Sequence, residues 1–170
     1  MCAADPPPIT SMKPLFEFKG VIREAVHNLK YKDIRALAPV LGEIMADRGR
    51  PERLEPDLIV PVPSHPRRMR ERGYNQAELL ARHIAIAVGI PISATAVARI
   101  VDTPRQVDLP ASQRVRDIRG TFEASSEVLD QSILLIDDVM TTGSTLQECA
   151  RALRAAGAAR VDALTLAREP

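Results

Sequence analysis

Aromatic residues are scarce in this 170-residue chain: no tryptophan, two tyrosines and three phenylalanines. A surface that stacks successive unpaired bases needs such rings, so composition gives no support for a protein built around one. Cysteine is scarce as well. Cys2 and Cys149 are too few for a disulfide framework, and the expectation is a reduced, cytosolic protein. Net charge is almost absent, at +1, which gives no support for a general binder of nucleic acid or of membrane surfaces. Long apolar runs are missing too. "IAIAVGIPI" is too short and interrupted to cross a bilayer, and "MCAADPPPIT" lacks the apolar stretch of a secretory leader. Two phosphate-binding signatures are absent: G-x-x-x-x-G-K-[ST], and G-x-G-x-x-G after a strand. What remains is ordinary for a globular protein: 45% hydrophobic and 26% charged residues, in a length that suits one domain.

Periodicity supplies the elements. Residues 1–14 are proline-rich and read as an extended or disordered N-terminal segment, with the domain proper over 15–170. Ile22, Ala25, Val26 and Leu29 share one helical face, and Leu37, Val40, Leu41 and Ile44 mark a second helix over 35–46. "LIVPV" (58–62) is a short apolar run suited to a strand buried on both faces. A basic, Pro/Gly-punctuated loop follows, "PSHPRRMRERGYN", and then a helix from Asn75 to Val88. Ile133–Ile136 reads as another buried strand, Ser144–Ala156 as a helix ended by Gly157, and "VDALTLA" (161–167) as a strand. Buried strands alternating with helices predict an α/β fold with a central, mostly parallel sheet flanked by helices. Right-handed crossovers then bring 63–74 and 137–145 to the same sheet edge, where such folds bind ligands.

The most informative stretch is "ILLIDDVMTTGST", 133–145. A strand, a loop of small hydroxylated residues with one glycine, and a helix start together aim backbone N–H groups at one spot. That arrangement suits phosphate. Asp137 and Asp138 cannot contact a phosphate favourably, since carboxylates accept hydrogen bonds and want hydroxyl donors or a hard cation. A sugar phosphate meets both demands, with phosphate at the amides and hydroxyls at the acids. Strand-end aspartates and "TTGST" could each be ordinary capping residues, but capping accounts poorly for the whole combination.

The stretch resembles the PRPP-binding motif of type I phosphoribosyltransferases, where PRPP is 5-phosphoribosyl-1-diphosphate. "FKGVIREAVHNLKYKD", "VPVPSHPRRMRERGYNQAELLA" and "TPRQVDLPASQRVRDIRGTF" are similar to blocks of the ComF/GntX branch of that family. The resemblance implies the type I phosphoribosyltransferase-like fold. It also implies transfer of a phosphoribosyl group to an unidentified acceptor, with release of pyrophosphate and with Mg²⁺ accompanying PRPP. Asp137 and Asp138 would hold the ribose 2′ and 3′ hydroxyls and meet the metal only indirectly, through PRPP. Val139, Met140, Thr141, Thr142, Gly143, Ser144 and Thr145 would bind the ligand, the last five around the 5′-phosphate. Where the family usually has Asn before G-x-F, this chain has Asp117.

Four arginines crowd the loop after the 58–62 strand. Most charge runs are solvated surface, but here they would lie beside the leaving pyrophosphate. Arg67 and Arg72 are therefore candidate catalytic residues, with Ser64 and His65 as ligand contacts beside them; Arg105 and Gln106 are candidate ligand residues. Asn75 is explained by an N-cap, and His27 and His83 by packing or surface positions. Lys30 and Lys32 read as solvated, with a functional role only weakly implied. The alternative function is a non-catalytic PRPP or nucleotide sensor, or an accessory protein of DNA uptake that contacts single-stranded DNA. "MCAADPPP" resembles the tail of a zinc ribbon that often precedes the domain. One thiol cannot make a tetrahedral zinc site, so the expectation is a ribbon-less member or an internal start, with no zinc. The acceptor and the oligomeric state are open at this point.

Overall fold

A computed structural model describes residues 7–100 and 120–170. In chain order the elements are β1 (Ser11–Glu17), α1 (Gly20–Tyr31), α2 (Leu37–Gly49), β2 (Leu58–Pro61), α3 (Pro66–Arg72), α4 (Gln76–Val88), β3 (Val97–Arg99), β4 (Phe122–Ala124), β5 (Ser132–Met140), α5 (Ser144–Ala155) and β6 (Arg160–Arg168). The sheet order is β1-β6-β5-β2, and every pairing in it is parallel. β3 and β4 form a separate antiparallel pair.

The sheet is covered on both faces, which is why its central strands are continuously apolar. Period-2 alternation sorts their side chains. Ile133, Leu135, Val161 and Ala163 pack with Leu146, Cys149, Ala150 and Leu153 of α5. Leu134, Ile136, Leu164 and Leu166 pack with α1, α2 and α4 through Val26, Leu29, Leu41, Met45, Leu80 and Ile84.

The sheet carries the expected type of fold, with local differences. Residues 11–14, read as part of the N-terminal segment, belong to β1, which spans the 14/15 boundary and pairs with β6. The second helix runs Leu37–Gly49, and its buried face is Ala38, Leu41, Gly42, Met45, Ala46 and Gly49 rather than the large-aliphatic stripe. Val40 is exposed. Close approach explains the shift. A Cβ on Gly42 would come within 2.5 Å of His83 Cβ on α4, and one on Gly49 within 2.8 Å of Leu164 on β6. Small residues therefore face the core there, although a hydrophobicity pattern gives them little weight.

The basic loop contains a helix, α3. His65 Nδ1 accepts the N–H of Arg67, Pro66 takes the first helical turn, and Gly73 closes the end at φ +75°. Arg67 Nε donates to Glu71 Oε1 at 2.7 Å, one turn on. No residue of α3 is buried, so it has no apolar period to reveal it. Residues 101–119, which include Arg105, Gln106 and Asp117, lie outside the described residues.

Candidate functional site

β5 outlasts its neighbour. β2 pairs with it only as far as Pro61 opposite Ile136, while β5 continues along β6 to Met140 opposite Arg168. The two aspartates were expected just past a strand ending at Ile136. They lie instead within β5, on the stretch that β2 leaves uncovered. There each carboxylate turns back onto the strand: Asp138 N–H donates to Asp137 Oδ1 at 2.8 Å, and Val139 N–H to Asp138 Oδ1 at 2.7 Å.

The two acids have unequal surroundings. Asp138 is buried, and its Oδ2 lies 2.7 Å from Lys30 Nζ at the end of α1. Both side chains of that pair are largely removed from solvent, at 15% and 4% exposure. Asp137 is half-buried, and among the described residues no cation is paired with it. Burial, and then the neighbouring Asp138 charge, push its carboxyl well above the usual carboxylate range; Lys30 and the Asp138 N–H pull the other way. Burial also raises the Cys149 thiol beneath, and the Asp137 charge adds to it, so this cysteine is a packing residue rather than a nucleophile.

After Met140 the chain turns through Thr141 and Thr142, both exposed, to Gly143 at φ +77°. Contacts of an added Cβ there would be ordinary, the nearest 3.5 Å from Met140 Sδ, so the left-handed backbone is what calls for glycine. Gly143 is the N-cap of α5 and offers no side chain to the first turn. Thr142 Oγ1 takes the Ser144 N–H at 3.3 Å and shares a hydrogen bond with Ser144 Oγ at 2.7 Å. Orphan N–H groups, two hydroxyls and the positive end of a 12-residue helix thus face one place. Two of the expected ligand residues offer it little. Met140's side chain is in the core, and the Val139 N–H is already taken by Asp138.

The parallel pairing of β2 with β5 puts α3 at the same sheet edge. Ser64 Oγ donates to Asn75 Oδ1 at 2.8 Å, and Asn75 Nδ2 donates to the Val62 carbonyl at 2.9 Å. Asn75 Oδ1 also accepts the Ala77 N–H, so it is the N-cap of α4. His65 caps α3. Arg67 is exposed against Glu71, whereas Arg72 lies over the Tyr31 ring at 4.9 Å and donates to Gln76 Oε1. The structure therefore draws Arg72 toward α1 and leaves Arg67 on the solvent side. Arg105, Gln106, Asp117 and Cys2 lie outside the described residues.

Sequence reasoning missed one corner of the site. The Tyr74 hydroxyl donates to the Leu29 carbonyl, fastening the end of α1 to the start of α4. Arg35 lies over the Tyr74 ring at 4.4 Å. Leu29 is the residue before Lys30, so this fastening fixes where Lys30 emerges. "LKYKD" and "RGYNQ" contain the participants, but no spacing in the chain joins them to Asp138.

Among the described residues, no group of three or more His, Cys, Asp and Glu side chains could hold a metal ion. With an ammonium already on Asp138, the donor set suits hydroxyl donors better than a directly bound divalent cation. Two cavities of about 480 and 470 Å³ lie elsewhere, against α2, and none of their lining residues belongs to the acid pair or its loop. No helix among the described residues is long and apolar enough to cross a membrane.

Comparison with known proteins bears on the family and the fold. The phosphoribosyl transferase domain model matches residues 27–170. The DNA utilization protein YhgH of Salmonella typhimurium is 32% identical, over 98% of this chain and 76% of that protein. Competence protein F of Haemophilus influenzae is 36% identical, over 79% of this chain and 60% of that protein. Among solved structures, glutamine phosphoribosylpyrophosphate amidotransferase from B. subtilis, complexed with ADP and GMP, superposes with a TM-score of 0.53 at 22% identity. That match covers 75% of this chain but 25% of the longer one, and carries the fold alone.

Proposed function

The chain belongs to the phosphoribosyl transferase domain family, in the branch of the ComF competence proteins, and from that premise we propose that it binds PRPP and transfers its phosphoribosyl group. The observation that carries this reading is one strand–loop–helix, residues 132–155, that holds a carboxylate pair and an uncapped helix start in immediate succession.

The 5′-phosphate would sit against Thr141–Thr145 and the α5 N-terminus, and the ribose hydroxyls at the acidic pair. The diphosphate would point toward α3, where Arg72 and its neighbours lie. A nucleophile on the acceptor attacks C1 of the ribose. The bond from C1 to the diphosphate oxygen breaks, pyrophosphate leaves with the electron pair, and the acceptor's proton passes to solvent or to the leaving group. Mg²⁺, when bound to the diphosphate, supplies charge neutralisation. The protein's own part is to orient the ribose and to place positive charge where pyrophosphate develops it. Lys30 on Asp138 lowers the net negative charge of the acidic pair beside an anionic ligand, which supports the same reading.

Calorimetry with PRPP and Mg²⁺ tests the binding step. Wild type should bind, and Asp137→Asn/Asp138→Asn should bind about 100-fold more weakly, as expected for lost charge-assisted hydrogen bonds. Equal affinity would refute the role of the carboxylates. Pyrophosphate release with a panel of nucleophiles tests the transfer step, since a PRPP sensor would bind and release none.

A second reading draws on the relatives' names and on α3, a basic helix with no buried residue. In it the α3 arginines contact phosphates of single-stranded DNA. Binding of a single-stranded oligonucleotide that weakens steeply with salt would support it, and salt-insensitive binding would count against it.

A further inference from the structure

The two aspartates are neighbours in sequence but not equivalents in space, and this inference rests on the PRPP reading above. Each oxygen of Asp138 faces a group of the protein, one through a hydrogen bond and one through an ion pair. Oδ1 accepts the Val139 N–H at 2.7 Å, and Oδ2 lies 2.7 Å from the Lys30 ammonium. That Oδ2 is buried and accepts no hydrogen bond from the described residues, so the ion pair is what holds it, and an incoming hydroxyl reaches it only if Lys30 moves. Lys30 is not placed for easy movement. Its side chain is 15% exposed, and the residue before it is fastened to α4 by the Tyr74 hydroxyl. Asp137 shares the backbone hydrogen bond at Oδ1 but differs in exposure and in its counter-ion. It is half-buried, its Oδ1 accepts the Asp138 N–H, and its Oδ2 receives no hydrogen bond from the described residues.

We infer that Lys30 divides the labour of the acidic pair: Asp138 is a locked counter-ion, and Asp137 is the carboxylate that receives the ribose hydroxyls. Lys30 is then a positioning residue, acting on the ligand through the acids rather than by touching it. Its ammonium removes one of two adjacent negative charges from a site that must accept a multiply charged anion. It also keeps Asp138 from competing with Asp137 for the same hydroxyl donors. The arrangement explains how two consecutive carboxylates persist in a partly dry site, where like charges disfavour joint ionisation.

The division predicts an unusual pattern of rescue. PRPP affinity with Mg²⁺ is measured by calorimetry for wild type, Asp137→Asn, Lys30→Met, Lys30→Arg and Lys30→Met/Asp138→Asn. Asp137→Asn should weaken binding by about 10- to 100-fold, the loss of a hydrogen bond to a charged group. Lys30→Met should weaken it by about 10-fold or more, since it exposes the ligand to an uncompensated carboxylate. Adding Asp138→Asn to Lys30→Met should restore affinity to within about fivefold of wild type, because counter-ion and charge leave together. With every variant folded at the temperature of measurement, a merely structural role for Lys30 would leave the affinity of Lys30→Met near wild type. Lys30→Arg should stay close to wild type. If Lys30→Met fails to fold, the double variant and Lys30→Arg still decide the matter. A double variant as weak as Asp137→Asn would overturn the inference and leave the PRPP reading standing, because Asp138 would then be a direct ligand. A wild type that does not bind PRPP would overturn both.

Discussion

Two corners of the molecule meet at the acidic pair, and they are built in different ways. The β5–α5 corner is local: residues 132–155 run through strand, turn and helix without interruption. Its shape follows from short-range preferences, namely an apolar strand, a left-handed glycine at 143 and an amphipathic helix. The α1–α4 corner is assembled from distant pieces. Leu29, Lys30 and Tyr31 come from one helix, Arg72, Tyr74 and Gln76 from the junction of two others, and Asp138 from the sheet. In the proposed function the local corner supplies the anion cradle. The assembled corner places Lys30 against Asp138, which in the inference drawn above leaves Asp137 for the ligand.

Substitutions can break this contrast or sharpen it. The largest loss of stability should come from the assembled corner. Lys30→Met leaves a buried carboxylate without its cation and should cost about 3 kcal/mol or more in urea unfolding. A loss below about 1 kcal/mol would mean that Asp138 relaxes into solvent, contrary to a locked pair. The local corner should lose less. Gly143→Ala forces an L residue to φ +77° and should cost about 1–2 kcal/mol, with a parallel loss of affinity for inorganic phosphate in calorimetry. Tyr74→Phe comes next, at about 1 kcal/mol in thermal unfolding, since the Leu29 carbonyl loses a buried hydroxyl donor.

Asp137→Asn should act in the opposite direction. The folded chain holds the Asp137 proton more tightly than the unfolded chain does, so wild-type stability falls as pH rises from about 4, the unfolded value, through the raised folded value. Asparagine removes that dependence. The variant should match wild type near pH 4 and unfold at a higher temperature at pH 7, while binding PRPP less well, a stability gained at the site's expense. A melting temperature at pH 7 no higher than wild type's would show that Asp137 ionises without penalty in the folded chain.

The legibility of the two corners follows the same divide. Asp137, Asp138 and the Thr141–Thr145 loop can be read from one short stretch because their geometry is set by neighbours in the chain. The helix over Gln76–Val88 and its Asn75 cap were equally readable, from period and cap chemistry. α3 was not, because a helix with no buried face leaves no hydrophobic period. The α2 face was misplaced because glycine and alanine, which permit close contact with α4 and β6, carry little hydrophobic signal. Lys30 stood in the sequence as one lysine among several charged residues. Nothing local distinguishes a lysine bound for a buried carboxylate from one bound for water.

By itself, the sequence determined the α/β class and the succession of strand, loop and helix between Ile133 and Ala156, because each depends on residues a few positions apart. Tertiary structure decided that β5 runs on past β2, that Tyr74 fastens α1 beside it, and that Lys30 consequently neutralises Asp138 and not Asp137. A salt bridge between distant segments depends on the packing of whole helices against the sheet, and that packing is a property of the folded core rather than of any short stretch of chain.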